Sequence, residues 1–179
     1  SDFEDLTTSL RDLAYSYLEK YSPSKQQLKV FLLKKYLTKI KGSKTKKEVS
    51  EIIDEIVLNL EKNKIISDEL YSDSKARTYL KRGYSLNKIN QTLRNKGIDS
   101  QYIKKSIDKI KDNHIEPDFV SALKLCKRRR IGPLRPPANR ELFYKKDMGI
   151  LARGGFNFEL SKRVLELEVK EFNKLIKII

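Results

Sequence analysis

The stretch LRNKGIDSQYIKKSI, residues 93–107, carries the local signals that decide the fold. On both sides of Gly97, apolar residues recur every three or four positions, which is typical of amphipathic helices and not of strands. A glycine after such a run can adopt the left-handed conformation that ends a helix, and Asp99 can accept hydrogen bonds from the first free amides of the next helix. The stretch therefore predicts two helices joined by a short turn.

A second stretch, LARGGFNFELSKRVL at residues 151–165, has the same order of signals. When Gly97 is aligned with Gly155, the matched positions are Leu93 and Leu151, Ile98 and Phe156, Asp99 and Asn157, Tyr102 and Leu160, and Ile107 and Leu165. We interpret this likeness as an internal repeat, because a recurring order of apolar, stop and cap positions is the signature of one repeated structural unit.

Helix start and stop signals continue along the chain. A capping box is predicted from Thr45 to Glu48, and Ser22 before Pro23 is a further predicted helix start. The other predicted starts are Ser67 or Asp68, Ser85, Asp99 and Asn157, and the predicted stops are Gly83, Gly97 and Gly155. Because no segment has the alternating pattern of a strand, we predict an all-α fold.

We predict three tandem three-helix repeats, similar to helix-turn-helix units, that stack into an elongated array. The predicted boundaries are residues 1–66, 67–115 and 116–179. Units of this size bury too little apolar surface alone and therefore pack on their neighbours. In the second repeat we expect helices over 68–82, over 86–96 and after Asp99, with Leu70 among the buried residues. The third repeat is expected to start its first helix near Pro117.

The chain is strongly basic. Its net charge is +15, from 39 lysines and arginines against 24 aspartates and glutamates. Such a chain is attracted to polyanions, which include nucleic acid, acidic protein surfaces and anionic lipid. An AT-rich genome is the alternative explanation for abundant lysine. The net charge rises from +3 in residues 1–66 to +5 in 67–115 and +7 in 116–179, however, and genome composition explains that gradient less well.

Few residues are suited to catalysis or metal binding. Cys126 and His114 are the single cysteine and histidine, which excludes an internal disulfide and disfavours a zinc site of the usual ligands. We find no Gly-rich phosphate loop, no nucleophile elbow and no carboxylate pair in an apolar context. We therefore expect no enzyme, no metal and no cofactor, with Cys126 in the core and His114 at a helix end.

The sequence also bears on location. No apolar run approaches the ~20 residues needed to cross a bilayer, and no signal peptide is recognisable. We expect a cytoplasmic protein without a membrane partner. Because Met148 is the only methionine, we expect the natural chain to begin before Ser1.

The run KRRRIGPLRPP, residues 127–137, is the strongest candidate for a binding site. The planar arginine side chain can hold a phosphate or carboxylate with two hydrogen bonds. The helix dipole would explain one or two cations at a helix end, but four in a row followed by Arg135 favour an anionic partner. We also predict that the Gly-Pro and Pro-Pro pairs exclude further helix here.

A second basic cluster lies around Gly83, where ordinary exposed helix surface is an equally good explanation. The candidate contact residues from both clusters are Lys81, Arg82, Lys88, Arg94, Lys96, Lys127, Arg128, Arg129, Arg130, Arg135, Lys145, Lys146 and Arg153. The tyrosines Tyr15, Tyr17, Tyr21 and Tyr36 lie at helical spacing among apolar residues. We predict that they pack in or against the core, with stacking on nucleic-acid bases as the alternative.

Several segments together form a recognisable series. They are Ile66-Ser67-Asp68-Glu69-Leu70-Tyr71, Lys81-Arg82-Gly83-Tyr84-Ser85, Ile89 with Leu93, and Lys96-Gly97-Ile98-Asp99. This series resembles the signature of the bacterial RecX regulatory proteins. The segment Arg153-Gly154-Gly155-Phe156 resembles the Arg-Gly-Phe of that family's last repeat, and residues 22–33 resemble its upstream leucine segment. The family often has arginine at the position of Leu70 and an aliphatic residue at that of Ser161.

The resemblance implies tandem three-helix repeats and a protein that binds the RecA recombinase filament. It further implies negative regulation of recombination and of the SOS response, by blocking filament extension, ATP hydrolysis and strand exchange. The implied partners are the RecA filament and, through weak and salt-dependent contacts, single- and double-stranded DNA; we expect a monomer. The alternative is a helix-turn-helix protein acting directly on DNA, because three-helix units with a basic second helix also describe such proteins.

Overall fold

The computed structural model describes residues 2–40 and 42–179, and within them it contains helices and no strand. The predicted all-α fold is therefore confirmed. The α-helices are α1 (Asp2–Lys20), α2 (Lys25–Lys35), α3 (Lys46–Lys62), α4 (Asp68–Lys81), α5 (Leu86–Asn95), α6 (Ser100–Asn113), α7 (Pro117–Arg129), α8 (Pro137–Leu142), α9 (Tyr144–Arg153), α10 (Phe158–Leu165) and α11 (Val169–Ile178). A π-helical turn, Tyr36–Ile40, follows α2. None of the described helices is long and apolar enough to cross a membrane.

Most predicted helix ends are confirmed. At the start of α3, Glu48 N–H donates to the Thr45 hydroxyl and Thr45 N–H donates to the Glu48 carboxylate, both at 3.2 Å. The predicted stops Gly83, Gly97 and Gly155 all have φ between +80° and +88°. The start predicted at Ser22 was wrong. The cap of α2 is Ser24, because Ser24 and Gln27 form a reciprocal capping box that satisfies two free amides.

Two further predictions were wrong. Leu70 is 70% exposed, since Tyr71 takes the inward position in the first turn of α4. Nor do the prolines after Arg130 exclude helix. Gly132–Leu134 forms a 3-10 turn, and α8 begins at Pro137. Proline is tolerated there because the N–H of the first helical residue makes no hydrogen bond within the helix.

The tyrosine prediction holds for some positions only. Tyr36 is buried and Tyr17 is half-buried, as expected, whereas Tyr15 is 43% and Tyr21 is 58% exposed. Tyr15 lies outside the face of α1 that buries Leu6, Leu10 and Ala14, and Tyr21 follows the last residue of the helix.

The chain divides into two compact units, residues 1–72 with 95–102 and residues 73–94 with 103–179. The core of the first unit comes mainly from α1, α2 and α3, and consists of Leu6, Leu10, Ala14, Leu28, Leu32, Tyr36, Val49, Ile52, Ile53, Ile56, Val57, Leu60 and Ile66. The main core of the second consists of Phe119, Ala122, Leu123, Leu125, Cys126, Ile131, Ile150, Leu151, Phe156, Val164, Leu165 and Phe172. The three repeat boundaries inferred from the sequence stay a prediction.

Cys126 and His114 lie where they were expected. Cys126 is fully buried, and burial raises the pKa of its thiol to about 12. The His114 Nδ1 atom lies 3.1 Å from the carbonyl oxygen of Ile110, at the end of α6.

One arrangement occurs in both units, at the N-terminus of a short helix. In the first unit, Lys25 N–H at the start of α2 donates to the Asp68 carboxylate at 2.8 Å. In the second, Leu86 N–H at the start of α5 donates to the Asp118 carboxylate, also at 2.8 Å. Both aspartates belong to the first turn of a later helix. A carboxylate suits this place because the first amides of a helix lack partners and the dipole there is positive.

A glycine packs against each of these helix starts. A Cβ atom on Gly97 would overlap the side chain of Gln26, the second residue of α2. A Cβ atom on Gly155 would overlap the Ser85 hydroxyl and lie 3.3 Å from the Cβ of Asn87, the second residue of α5. Gly97 and Gly155, the two glycines that revealed the repeat in the sequence, are therefore required for two reasons. Each has a positive φ, and each allows a helix start to pack closely against it.

We predict that Gly155→Ala destabilises the protein by about 2–3 kcal/mol, from a strained positive φ and a displaced Ser85 cap. Gly149→Ala is the matched control. Gly149 lies inside α9 and a Cβ there meets only the flexible end of Arg153, so alanine is expected to be neutral or to stabilise by up to about 1 kcal/mol. Urea unfolding followed by circular dichroism measures both; equal midpoints would contradict the prediction.

Candidate anion-binding cleft

A basic cleft of about 280 Å³ lies in the second unit. Its lining residues are Gly83, Lys88, Leu125, Arg128, Arg129, Ile150, Arg153, Gly154 and Phe156. Four of these are cations, contributed by α5, α7 and α9, and the lining includes no carboxylate. The other lining residues are glycines and apolar side chains, so none of them neutralises the four cations. We call this feature the basic cleft.

Two arginines of the basic cleft, Arg128 and Arg129, lie at the end of α7. Arg130 leaves the helix with a positive φ of 54°, and its N–H donates to the carbonyls of Cys126 and Lys127. The Arg128 Nη1 donates to the carbonyl oxygen of Arg82 at 2.8 Å, which fastens the end of α7 to the turn between α4 and α5. Arg128 keeps its remaining N–H donors for other acceptors, because a guanidinium carries five.

A stacked pair of rings, Tyr79 of α4 and Tyr84 of that turn, lies beside two cations. The rings of Tyr79 and Tyr84 are parallel within 6°, with their centroids 5.1 Å apart. The Lys88 ammonium lies 4.0 Å from the centre of the Tyr84 ring, and the Arg82 guanidinium lies 6.0 Å from that of Tyr79. Such contacts orient a cation without neutralising it. Lys88 is thereby held at the cleft with its charge available.

The Ser85 hydroxyl caps the start of α5 and joins it to Gly154, the residue that follows α9. The hydroxyl donates to the carbonyl oxygen of Gly154 at 2.7 Å and accepts from Lys88 N–H at 3.0 Å. Asp118 holds the same helix start through Leu86. Burial raises the pKa of Asp118, and the hydrogen bond from Leu86 opposes that shift. Lys88 and Arg153 are therefore positioned by one connected network.

The basic cleft is suited to an oxyanion and not to a metal ion. Its arginines can each offer two parallel N–H donors to a phosphate or carboxylate. Over the described part of the chain, no group of three or more histidine, cysteine, aspartate or glutamate side chains is placed to hold a metal. The basic cleft can therefore bind phosphate or carboxylate groups of an anionic partner.

Comparisons with known proteins agree with the sequence series. Residues 67–107 match the family model described as RecX, second three-helix domain. The chain is also 32% identical over 162 residues to the Regulatory protein RecX of Myxococcus xanthus (strain DK1622), covering 89% of this chain and 85% of the relative. The chain belongs to the RecX family. The resemblance seen in the sequence is thereby confirmed.

A solved RecX structure has the same fold. The structure described as the crystal structure of regulatory protein RecX matches 93% of this chain and 74% of its own, with a TM-score of 0.66 and 22% identity. The predicted class, an all-α RecX fold of helical repeats, is confirmed.

The structure brings together four of the predicted contact residues and separates the others. Lys88, Arg128, Arg129 and Arg153 line the basic cleft. The predicted contact residues of the second unit that are exposed but do not line the basic cleft are Lys81, Arg82, Arg94, Lys127, Arg130, Lys145 and Lys146. Lys96 belongs to the first unit.

Arg135 has a different environment from the rest of its run. Its Nε and Nη2 atoms each donate to the Asp147 carboxylate at 2.8 Å, and Gly132 N–H donates to the same carboxylate at 3.0 Å. The side chain of Asp147 is 1% exposed and that of Arg135 is 17% exposed. Arg135 therefore fastens the loop after α7 to α9, with its strongest donors already used.

Sequence reasoning missed the residues that position the basic cleft. Asp118, Gly154 and Tyr79 make contacts to residues 32, 69 and 5 positions away, respectively. Only the last of these contacts joins residues that are close together in the chain. Acidic residues in the first turn of α4 and α7 were the available signal for Asp118, because such residues favour a helix N-terminus, but nothing local indicates which helix they cap.

Proposed function

We propose that this chain regulates the RecA recombinase by binding the RecA–DNA filament and inhibiting its extension, ATP hydrolysis and strand exchange. Recombination and the SOS response would then be under negative control. The observation that carries the proposal is the convergence of four cations from three helices on one cleft of a RecX protein. A filament of protein on DNA presents phosphates and carboxylates, and arginine pairs with both.

The proposed mode of action is binding without catalysis, by a monomer in the cytoplasm where RecA acts. The thiol of Cys126 is buried and its pKa is raised to about 12, so a thiolate nucleophile is not formed at neutral pH. The imidazole of His114 lies at the end of α6 beside a carbonyl oxygen. The surroundings of Cys126 and His114 therefore fit a role in the fold and give no support for a catalytic role.

We propose that the contact to DNA within the filament is made to phosphates, by Lys88, Arg128, Arg129 and Arg153. Phosphate contacts position a protein without reading the base sequence. Each one releases counter-ions, so the affinity falls steeply as salt rises. Weak, salt-dependent binding to free single- and double-stranded DNA is the expected companion of filament binding.

The test is the rate of ATP hydrolysis by RecA on single-stranded DNA. Added at well below one molecule per RecA protomer, the protein is expected to lower that rate, because a few bound molecules stop the growth of a long filament. An unchanged rate at low salt would contradict the proposal. Gel shifts on naked duplex across a salt series address the helix-turn-helix alternative, which predicts tight, sequence-selective binding.

A further inference from the structure

Three aromatic rings form a column on the first unit, where the end of α1 meets α2. The Tyr17 ring lies 4.1 Å from that of Phe31, nearly parallel at 23°, and 4.8 Å from that of Tyr21, tilted at 39°. The Lys35 ammonium lies 5.5 Å from the centre of the Phe31 ring. Tyr21, the ring at the other end, is 58% exposed. The column thus has a lysine at one end and an accessible ring at the other.

The lysines of α2 differ in their partners. Near the start of the helix, Lys25 pairs with Glu61 at 2.7 Å and Lys29 pairs with Asp54 at 3.1 Å. These two lysines are therefore partly neutralised by α3. Their charges stabilise the packing of the first unit and leave little for an external partner.

The lysines beyond the middle of α2 crowd one another instead. Within residues 2–40 and 42–179, Lys34, Lys35 and Lys39 have no carboxylate partner within ion-pair distance. Repulsion from Lys39, with a smaller part from Lys34, lowers the pKa of Lys35. A bound anion would relieve this repulsion. We call Tyr17, Tyr21, Phe31, Lys34, Lys35 and Lys39 the ring–lysine surface.

We propose that the ring–lysine surface binds single-stranded DNA, with a base stacked on Tyr21 and phosphates further along the strand on the lysines at the other end of the ring column. A base continues an aromatic column because every base has a flat π-face, and stacking of this kind tolerates any sequence. The bases of a duplex are already stacked on one another and cannot reach Tyr21 without unpairing. An acidic peptide would use the lysines but would gain little from the ring.

This inference goes beyond the proposed function, because its residues lie in the first unit and its test requires no RecA. The full chain is titrated against fluorescein-labelled oligothymidylate and against an abasic oligonucleotide of equal length and charge. If the chain contacted phosphates alone, its affinity for the two oligonucleotides would be the same. The unchanged chain is expected to prefer oligothymidylate by roughly five- to tenfold, the low end of the range for one stacked base.

Tyr21→Ala is expected to bring that preference below about twofold, whereas Tyr21→Phe, which keeps a ring, should retain it. Tyr15→Ala is the matched control, since Tyr15 is an exposed tyrosine of α1 that lies outside the ring column. Replacing Lys34, Lys35 and Lys39 by glutamine should weaken the binding of both oligonucleotides alike. Equal binding of both by the unchanged chain, or an equal effect of Tyr15→Ala, would overturn the proposal.

Two further results separate this inference from others. If polyglutamate displaces labelled oligothymidylate as well as unlabelled oligothymidylate does, the surface recognises charge alone and the proposal is wrong. The variant with alanine at Arg128, Arg129 and Arg153 should bind both oligonucleotides more weakly but keep the preference. Loss of the preference in that variant would place the stacking at the basic cleft and refute the inference, whatever the ATPase assay shows.

Discussion

The triple variant Arg128→Ala, Arg129→Ala, Arg153→Ala is expected to bind the RecA–DNA filament about 100- to 1000-fold more weakly than the unchanged chain. The three side chains line one cleft together with Lys88. Hydrogen bonds to charged groups contribute about 1.5 kcal/mol each at the low end of their range, and somewhat less when exposed. Three of them therefore account for about 3–4 kcal/mol, and every 1.4 kcal/mol is a tenfold change in affinity.

Fluorescence anisotropy of the filament on labelled DNA, repeated over a salt series, measures this effect. The slope of affinity against salt should become less steep by roughly two to three, one for each lost phosphate contact. Because Arg128 also holds the carbonyl of Arg82, circular dichroism must show that the variant keeps its helices. Arg128→Lys on its own keeps the charge and should lose much less affinity.

The matched control replaces Lys105, Lys162 and Lys170 by alanine. These lysines are exposed cations of the second unit that do not line the basic cleft, and their removal lowers the net charge by the same amount. We expect a loss of affinity below about tenfold, because distant surface charges are screened by salt. An equal loss in the control and the triple variant would mean that net charge, and not the basic cleft, carries the binding.

Asp147→Ala is expected to destabilise the protein by about 3–5 kcal/mol, the range for removing one partner of a buried ion pair. The carboxylate is 1% exposed and accepts three hydrogen bonds, two from Arg135 and one from Gly132 N–H. Its loss leaves a guanidinium and a backbone amide without their acceptor in the interior. The midpoint of urea unfolding, with the slope checked for two-state behaviour, measures the change.

Three companion variants define what the Asp147 result means. Asp147→Asn keeps an oxygen for Gly132 and should be less destabilised than Asp147→Ala. The double variant Asp147→Leu, Arg135→Leu should be less destabilised as well, since no buried charge is left unpaired. Glu141→Ala removes an exposed carboxylate of α8 and should change stability by less than about 0.5 kcal/mol. If Asp147→Ala unfolded at the same midpoint as Glu141→Ala, the ion pair would not be structural.

The predictions from sequence succeeded where the cause lies within a few residues. A capping box such as Thr45 with Glu48 joins neighbours three positions apart, and a glycine stop such as Gly97 depends on its own φ. The predictions failed where two neighbouring helical residues could each have been the buried one. Leu70 and Tyr71 are both apolar at the start of α4, and the choice of which one faces inward belongs to the packing of the whole helix.

The arginines after residue 127 show where local reasoning ends. Arg128 and Arg135 belong to one basic run and were predicted to do the same thing. The tertiary structure places Arg128 at the basic cleft and turns Arg135 inward onto Asp147. Their difference is set by partners 46 and 12 positions away in the chain, Arg82 and Asp147 respectively.

The amino-acid sequence by itself determined the helices, the repeated glycine turn and the RecX family, because helical periodicity, caps and left-handed glycines act through bonds along one turn of chain. Only the tertiary structure decided which cations form a site. The four cations of the basic cleft come from α5, α7 and α9, and they converge because Ser85, Asp118 and Arg128 bind backbone groups of distant segments. Such long-range hydrogen bonds follow from the packing of the cores, which no short stretch of sequence encodes.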